Sequence, residues 1–265
     1  MRYRLLIASL SVTLLMKLSS ISAVIQKPVL AITNFRNISS SWKISQIYKP
    51  PDRGAPPTTA PSGTRGESVG SGQCLLENKK LTLLLPETGE GLTISKYPTL
   101  YVYIPPYENA QQAEFFITDS EKNDIYNHFF QLPEKSGIIR IQVPEEKSPP
   151  LEVGENYFWG VTIFCISEEL DPSENASVEG RIQLIKPEKS LYNKLVGVTP
   201  LTLPTVYASQ GIWYDALESM VQLRRLNPNN PKLIDDWQKL FNSANSQGKE
   251  ELIPAPILDC CQRED

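Results

Sequence analysis

Residues 151–165 read Leu-Glu-Val-Gly-Glu-Asn-Tyr-Phe-Trp-Gly-Val-Thr-Ile-Phe-Cys, and no other stretch constrains the fold as tightly. Gly154 permits the positive-φ turn that lets a chain enter a central strand. Tyr157, three residues on, suits the corner of immunoglobulin-like folds, where a tyrosine hydroxyl bonds back to upstream backbone. Beyond it the residues alternate. Tyr157, Trp159, Val161, Ile163 and Cys165 share one face, and Phe158, Gly160, Thr162 and Phe164 the other. Period two over this length predicts a strand, and bulk on both faces places it centrally. Cys165 stands eight positions after Tyr157 rather than two, so the antibody bridge is excluded. A plain core strand after a glycine turn has the same consequence for the fold.

The surrounding sequence extends this pattern. Short apolar or alternating runs at 81–85, 99–104, 113–118, 125–132, 138–143 and 177–185 are separated by turn-forming residues, among them 87–91 and the polar 119–124, which joins two runs as a hairpin. With the central strand they predict a mainly β body at 74–187, a seven-stranded, immunoglobulin- or fibronectin-like antiparallel sandwich.

After Pro187 the period changes to that of helices. Residues 190–196 suit a turn or two, and Pro200 and Pro204 interrupt the stretch beyond them. Ala216, Leu217, Met220, Leu223 and Leu226 then fall at helical spacing between Gly211 and Pro228. Leu233, Ile234, Trp237, Leu240 and Phe241 form a second stripe. A small helical appendage at 188–247 is expected, followed by a disordered tail at 248–265.

The N-terminus predicts export. Arg2 and Arg4 precede an apolar run from Leu5 to Met16. That run is shorter than the roughly 20 residues a membrane span needs. A signal peptide at 1–31, cleaved after Ala23 or Ala31, is expected; an uncleaved anchor would be the only membrane attachment. Residues 32–73 are rich in Pro, Ser and Gly and predict a disordered linker. The body at 74–187 holds 9 basic and 18 acidic side chains, which disfavours nucleic acid as a partner.

Of four cysteines, Cys74 and Cys165 bracket the body, and in an oxidising compartment they are a candidate disulfide. Two buried free thiols are the alternative. Cys260 and Cys261 sit in the tail, suited either to linking two chains or to no role. No cysteine has metal-ligand spacing and there is one histidine, so neither a metal nor a cofactor is expected. His128 lies mid-strand, where packing is the ordinary role. The acid pairs Glu145-Glu146, Glu168-Glu169 and Asp235-Asp236 sit in turns or on a helix, and sequence neighbours point apart, unlike the opposed carboxylates of glycosidases. No phosphate loop or nucleophile elbow is present, so no catalytic residue is assigned and no enzyme is expected.

Two resemblances add to this. The run from Tyr207 to Asn230, with Gly211, Trp213, Ala216, Leu217, Leu223 and Asn227-Pro228, resembles the latter part of a tetratricopeptide repeat. It covers less than one repeat. From about Pro50 to Trp237 the chain resembles a cyanobacterial family known as domain of unknown function 928. The resemblance is carried by Arg53-Gly54-Ala55-Pro56, Thr64-Arg65-Gly66, the run from Leu81 to Pro86, Gly91-Leu92-Thr93, Tyr97-Pro98-Thr99 and Ala113-Glu114-Phe115. Further on it rests on Pro149-Pro150-Leu151-Glu152-Val153-Gly154, Val178-Glu179-Gly180 and the run from Gly211 to Leu217. It implies an exported protein and brings no activity with it.

These readings together describe a periplasmic or secreted, non-enzymatic interaction module with an envelope or secreted protein as partner. A carbohydrate-binding module is the alternative. The candidate binding surface is Tyr101 and Tyr103, as a two-ring platform for a sugar, together with Trp213 and Trp237 on the helices.

Overall fold

Alternation decides which side of each strand is buried. In the central strand Tyr157, Trp159, Val161 and Ile163 lie in the core, whereas Phe158, Thr162 and Phe164 are half-covered on the outer side. The computed structural model describes residues 48–51, 72–166 and 172–258. The expected signal segment, most of the 32–73 linker, the Glu168-Glu169 pair and Cys260-Cys261 lie outside the described residues.

The chain is mainly β with a helical C-terminal part. Its strands are β1 (Thr82–Leu83), β2 (Glu90–Thr93), β3 (Thr99–Ile104), β4 (Ala110–Thr118), β5 (Asp124–Gln131), β6 (Gly137–Gln142), β7 (Asn156–Cys165) and β8 (Ala176–Leu184). The helices are α1 (Lys189–Leu195), α2 (Leu203–Ser209), α3 (Trp213–Leu226), α4 (Pro231–Ser243) and α5 (Lys249–Leu252). One sheet has the order β1-β3-β6 and the other β2-β8-β7-β4-β5, so β7 is the middle strand of five.

The described residues form eight strands where seven were expected. The extra one, β2, begins at Glu90 inside the expected 87–91 turn, because the turn closes early, at Gly89. Its pairing with β8 is parallel, so the sheet is not wholly antiparallel. The 119–124 hairpin forms as expected between β4 and β5.

Gly154 adopts φ +91°, and the backbone N–H of Glu152 donates to the Tyr157 hydroxyl at 3.1 Å. Gly160 is fixed by space rather than by φ. A Cβ there would lie 2.2 Å from the Val178 carbonyl oxygen and 2.6 Å from the Phe116 ring. Cys74 and Cys165 are disulfide-bonded across 91 residues of sequence, tying the start of the body to the end of β7.

The helices share the core of the sheets. Trp213, Tyr214, Leu217, Trp237 and Phe241 belong to the same buried cluster as Trp159, Val161 and Leu100. Trp213 Nε1–H donates to the Leu84 carbonyl at 2.8 Å. Trp159 Nε1–H donates to the Tyr214 hydroxyl at 2.6 Å, which donates onward to the Arg181 carbonyl at 3.0 Å. Gly91 leaves room for this contact, since a Cβ there would lie 2.7 Å from the Tyr214 ring.

Pro204 does not break a helix. It sits in the first turn of α2, where its missing N–H costs nothing. Gly211, at φ +72°, turns the chain from α2 into α3.

Two expected disordered segments are partly ordered. Within 32–73, Tyr48 is buried with its ring edge-on to Trp213 at 5.1 Å, and the Lys49 N–H donates to the Ala208 carbonyl at 3.0 Å. Within 248–265, α5 forms and Ile257 bridges in parallel to Ile138 of β6. Both follow from apolar side chains that the composition of their segments obscured.

Candidate functional site

The expected binding surface is not a surface. Tyr101, Trp213 and Trp237 are fully buried and Tyr103 is 4% exposed. Strand β3 is buried along its whole length, because its sheet is covered on both sides, and α3 lies against it. The rings of Tyr101 and Tyr103 therefore present no face for a sugar to stack on. Trp213 and Trp237 are core residues, both edge-on to Phe241 at 5.8 and 4.6 Å.

What the structure does bring together is the polar margin where α3 meets the sheets. Asp215 stands in the first turn of α3 and Glu218 three residues on, a spacing that puts both on one helix face. Asp215 Oδ2 accepts from the Thr93 hydroxyl at 2.9 Å and the Ile94 N–H at 3.1 Å. Burial pushes its carboxyl up to about 6, against the lowering effect of those two hydrogen bonds. Glu218 accepts from the Tyr101 hydroxyl, from Gln222 Nε2 at 2.8 Å and from Arg140 at 3.5 Å. The Tyr101 hydroxyl is pushed far up by burial and by the Glu218 charge. Arg140 also donates to Thr99 Oγ1 at 3.2 Å and Gln142 Oε1 at 2.7 Å.

Of these groups Thr93, Thr99, Gln142, Asp215 and Glu218 line a hollow of about 320 Å³, walled also by the half-buried Tyr97 and Tyr207 and by Pro98 and Ser219. Its volume is at the lower end of the range for small-molecule sites, about 300–1,000 Å³. Tyr97 and Gln142 also border a larger cleft of about 590 Å³ between β5 and the segment after β6. His128 lines that cleft, half-buried, with its ring 6.5 Å from Tyr126. Glu145 and Glu146 stand at its rim. The Asp235-Asp236 pair is divided, as adjacent helix positions must be: Asp236 pairs with Lys232 at 2.7 Å, and Asp235 with Lys239. Among the described residues no group of three or more His, Cys, Asp or Glu is placed to hold a metal ion.

Asp215, Glu218, Thr93, Tyr97 and Tyr207 were not singled out from sequence. One signal for them existed. Asp215 interrupts the run Trp213-Tyr214-Asp215-Ala216-Leu217, whose other four members are buried, and a carboxylate so flanked must face either solvent or a polar hollow.

Thr93 and Asp215 come from two runs that carry the family resemblance, Gly91-Leu92-Thr93 and Gly211 to Leu217, and the fold joins them by a hydrogen bond. Residues 60–256 match the model of the family described as Domain of Unknown Function (DUF928). The chain belongs to that family. The DUF928 match begins within the expected linker and ends just before the Ile257 bridge, so it takes in both sheets and the helices α1 to α5. Comparison with curated proteins gives no match.

Proposed function

We propose that this DUF928 protein is an exported, non-enzymatic interaction module of the cell envelope whose partner is an envelope or secreted protein. The observation that carries the reading is a set of exposed apolar side chains on the helices, beside Phe129, Val153 and Ile166 on the β part. Tyr192 and Val196, one turn apart at α1, are 57% and 80% exposed, and Leu226 at the end of α3 is 69% exposed. Large apolar groups held in water on helices are the raw material of a protein interface. Export is supported by the Cys74–Cys165 disulfide, which suits an oxidising compartment, and by the basic and apolar start of the sequence. Among the described residues no helix is long and apolar enough to cross a membrane.

We read the two sheets as an immunoglobulin- or fibronectin-like sandwich carrying an added parallel strand, a reading supported by the Tyr157 corner. The α2–α3 pair is read as a tetratricopeptide-like unit on the strength of its Gly211 turn and the buried Ala216. The carbohydrate reading loses its support with the burial of Tyr101 and Tyr103.

Site-specific photo-crosslinking in intact cells tests the proposal. A photoreactive residue at Tyr192 or Leu226 should give discrete adducts with an envelope protein, whereas one at the exposed hairpin residue Glu121 should not. Adducts absent at the helix positions, or equal at all three, would refute it.

A further inference from the structure

The hollow beside α3 has features that specify a ligand. Its lining includes the Asp215 carboxylate, which accepts at Oδ2 from Thr93 and Ile94 and also interacts with its own backbone N–H. Among the described residues no side chain donates to Oδ1 and no lysine or arginine pairs with Asp215. The nearby cation, Arg140, is engaged with Glu218, Thr99 and Gln142. Its walls include the rings of Tyr97 and Tyr207. The titratable groups that line the hollow with Asp215 are Tyr214 and Glu218 on its own helix, Tyr207 from α2 and Tyr97 from the loop before β3, while Tyr101 of β3 and Arg140 of β6 contact Glu218.

We propose that this hollow receives a primary ammonium group, the end of a lysine side chain on the partner protein. This rests on the partner-binding reading above. A carboxylate held in a hollow without a counter-charge is stabilised by a cation more than by a neutral polyol, and tyrosine faces attract the same cation. One open carboxylate oxygen suits the point charge of an ammonium. A guanidinium favours two parallel acceptors. The Ser95 hydroxyl, which also lines the hollow, keeps an acceptor lone pair beyond its bond from the Tyr97 N–H, and the four-carbon stem of lysine can lie along Tyr97 and Pro98.

The experiment titrates Nα-acetyl-lysine methylamide into the mature full-length chain and follows the Ile94 amide by NMR, because that N–H touches Asp215. Saturable movement of the Ile94 resonance is expected. An at least tenfold weaker response is expected to the Nε-acetylated, uncharged probe, and loss of the response in Asp215→Asn. Binding needs the ionised carboxylate, so affinity should fall about tenfold per pH unit below pH 6. Equal binding of the charged and uncharged probes, or binding that survives Asp215→Asn, would overturn the assignment. So would a simple sugar that saturates the site where the lysine probe does not. A hollow that takes the lysine probe, in a protein whose helix positions give no cross-links, would keep the ammonium site and remove the partner.

Discussion

Replacing Asp215 by Asn isolates the energetic cost of keeping a charge in the hollow. The carboxyl rises from the usual 3.8 to about 6 because burial outweighs two hydrogen bonds. Between pH 4 and 6 the folded chain holds a proton that the unfolded chain has released. Stability contributed by this group therefore falls as pH rises through that window, and stays lower above it. The interval corresponds to about 3 kcal/mol. Asparagine keeps an acceptor oxygen for Thr93 and Ile94 and carries no charge. The variant should match the parent within about 1 kcal/mol at pH 4 and exceed it by roughly 3 kcal/mol at pH 7.5.

Urea unfolding followed by tryptophan fluorescence reads this directly, since Trp159, Trp213 and Trp237 are all fully buried and their emission should shift on unfolding. With a slope of about 2–3 kcal/mol/M, the midpoint of the variant should lie about 1 M higher at pH 7.5. A difference between variant and parent that stays flat from pH 4 to 7.5 would refute the reasoning. So would a variant less stable at pH 7.5. A residue that weakens the fold while it opens onto a hollow is the pattern expected of a binding group.

Two further perturbations probe the scaffold. Replacing Cys74 and Cys165 with Ala frees a loop closed over 91 residues and should lower stability by about 4–5 kcal/mol in the chain-entropy model; a thermal midpoint unchanged by the replacement would contradict this. Gly160→Ala drives a Cβ into the Val178 carbonyl, which is backbone and cannot swing away. It should cost more than about 3 kcal/mol. Gly154→Ala meets open space and only an unfavourable φ, and should cost about 1–2 kcal/mol. Comparative denaturation curves rank the two, and the reverse order would show that φ rather than packing governs this part of the chain.

The sequence was most informative where one face of an element is buried. The period-two run at 157–165 predicted β7 and its central place, and the structure shows that the Tyr157, Trp159, Val161 and Ile163 face is the buried one. The Cys74–Cys165 pair was a candidate from its bracketing positions and the expected oxidising compartment, with two free thiols as the alternative, and the structure joins it. β2 was hidden because it is an edge strand of Glu, Gly, Leu and Thr with no alternation to read. Tyr101 and Tyr103 were misplaced for a different reason. Tyrosine is favoured in strands whether its face is wet or dry, and nothing local says that α3 will cover β3. Glu218, which accepts from the Tyr101 hydroxyl, lies more than a hundred residues away, so only the tertiary fold shows why that hydroxyl belongs in the core.

The same lack of local signal explains why the helices were expected to be an appendage. Period alone separates residues after Pro187 from those before it, yet Trp213 and Tyr214 cap the sheet core with hydrogen bonds to Leu84, Trp159 and Arg181. The glycine at 91 exists in the fold to admit them. Helix α3 thus has two jobs, set by adjacent residues. Trp213, Tyr214, Ala216 and Leu217 fix its position against the sheets, and Asp215 between them is carried to a place that its own solvation would not choose. A carboxylate on a mobile helix could relax toward water. Locked between four buried neighbours and tethered by Thr93 and Ile94, it stays at the hollow, where no lysine or arginine among the described residues pairs with it and the proposed ammonium would.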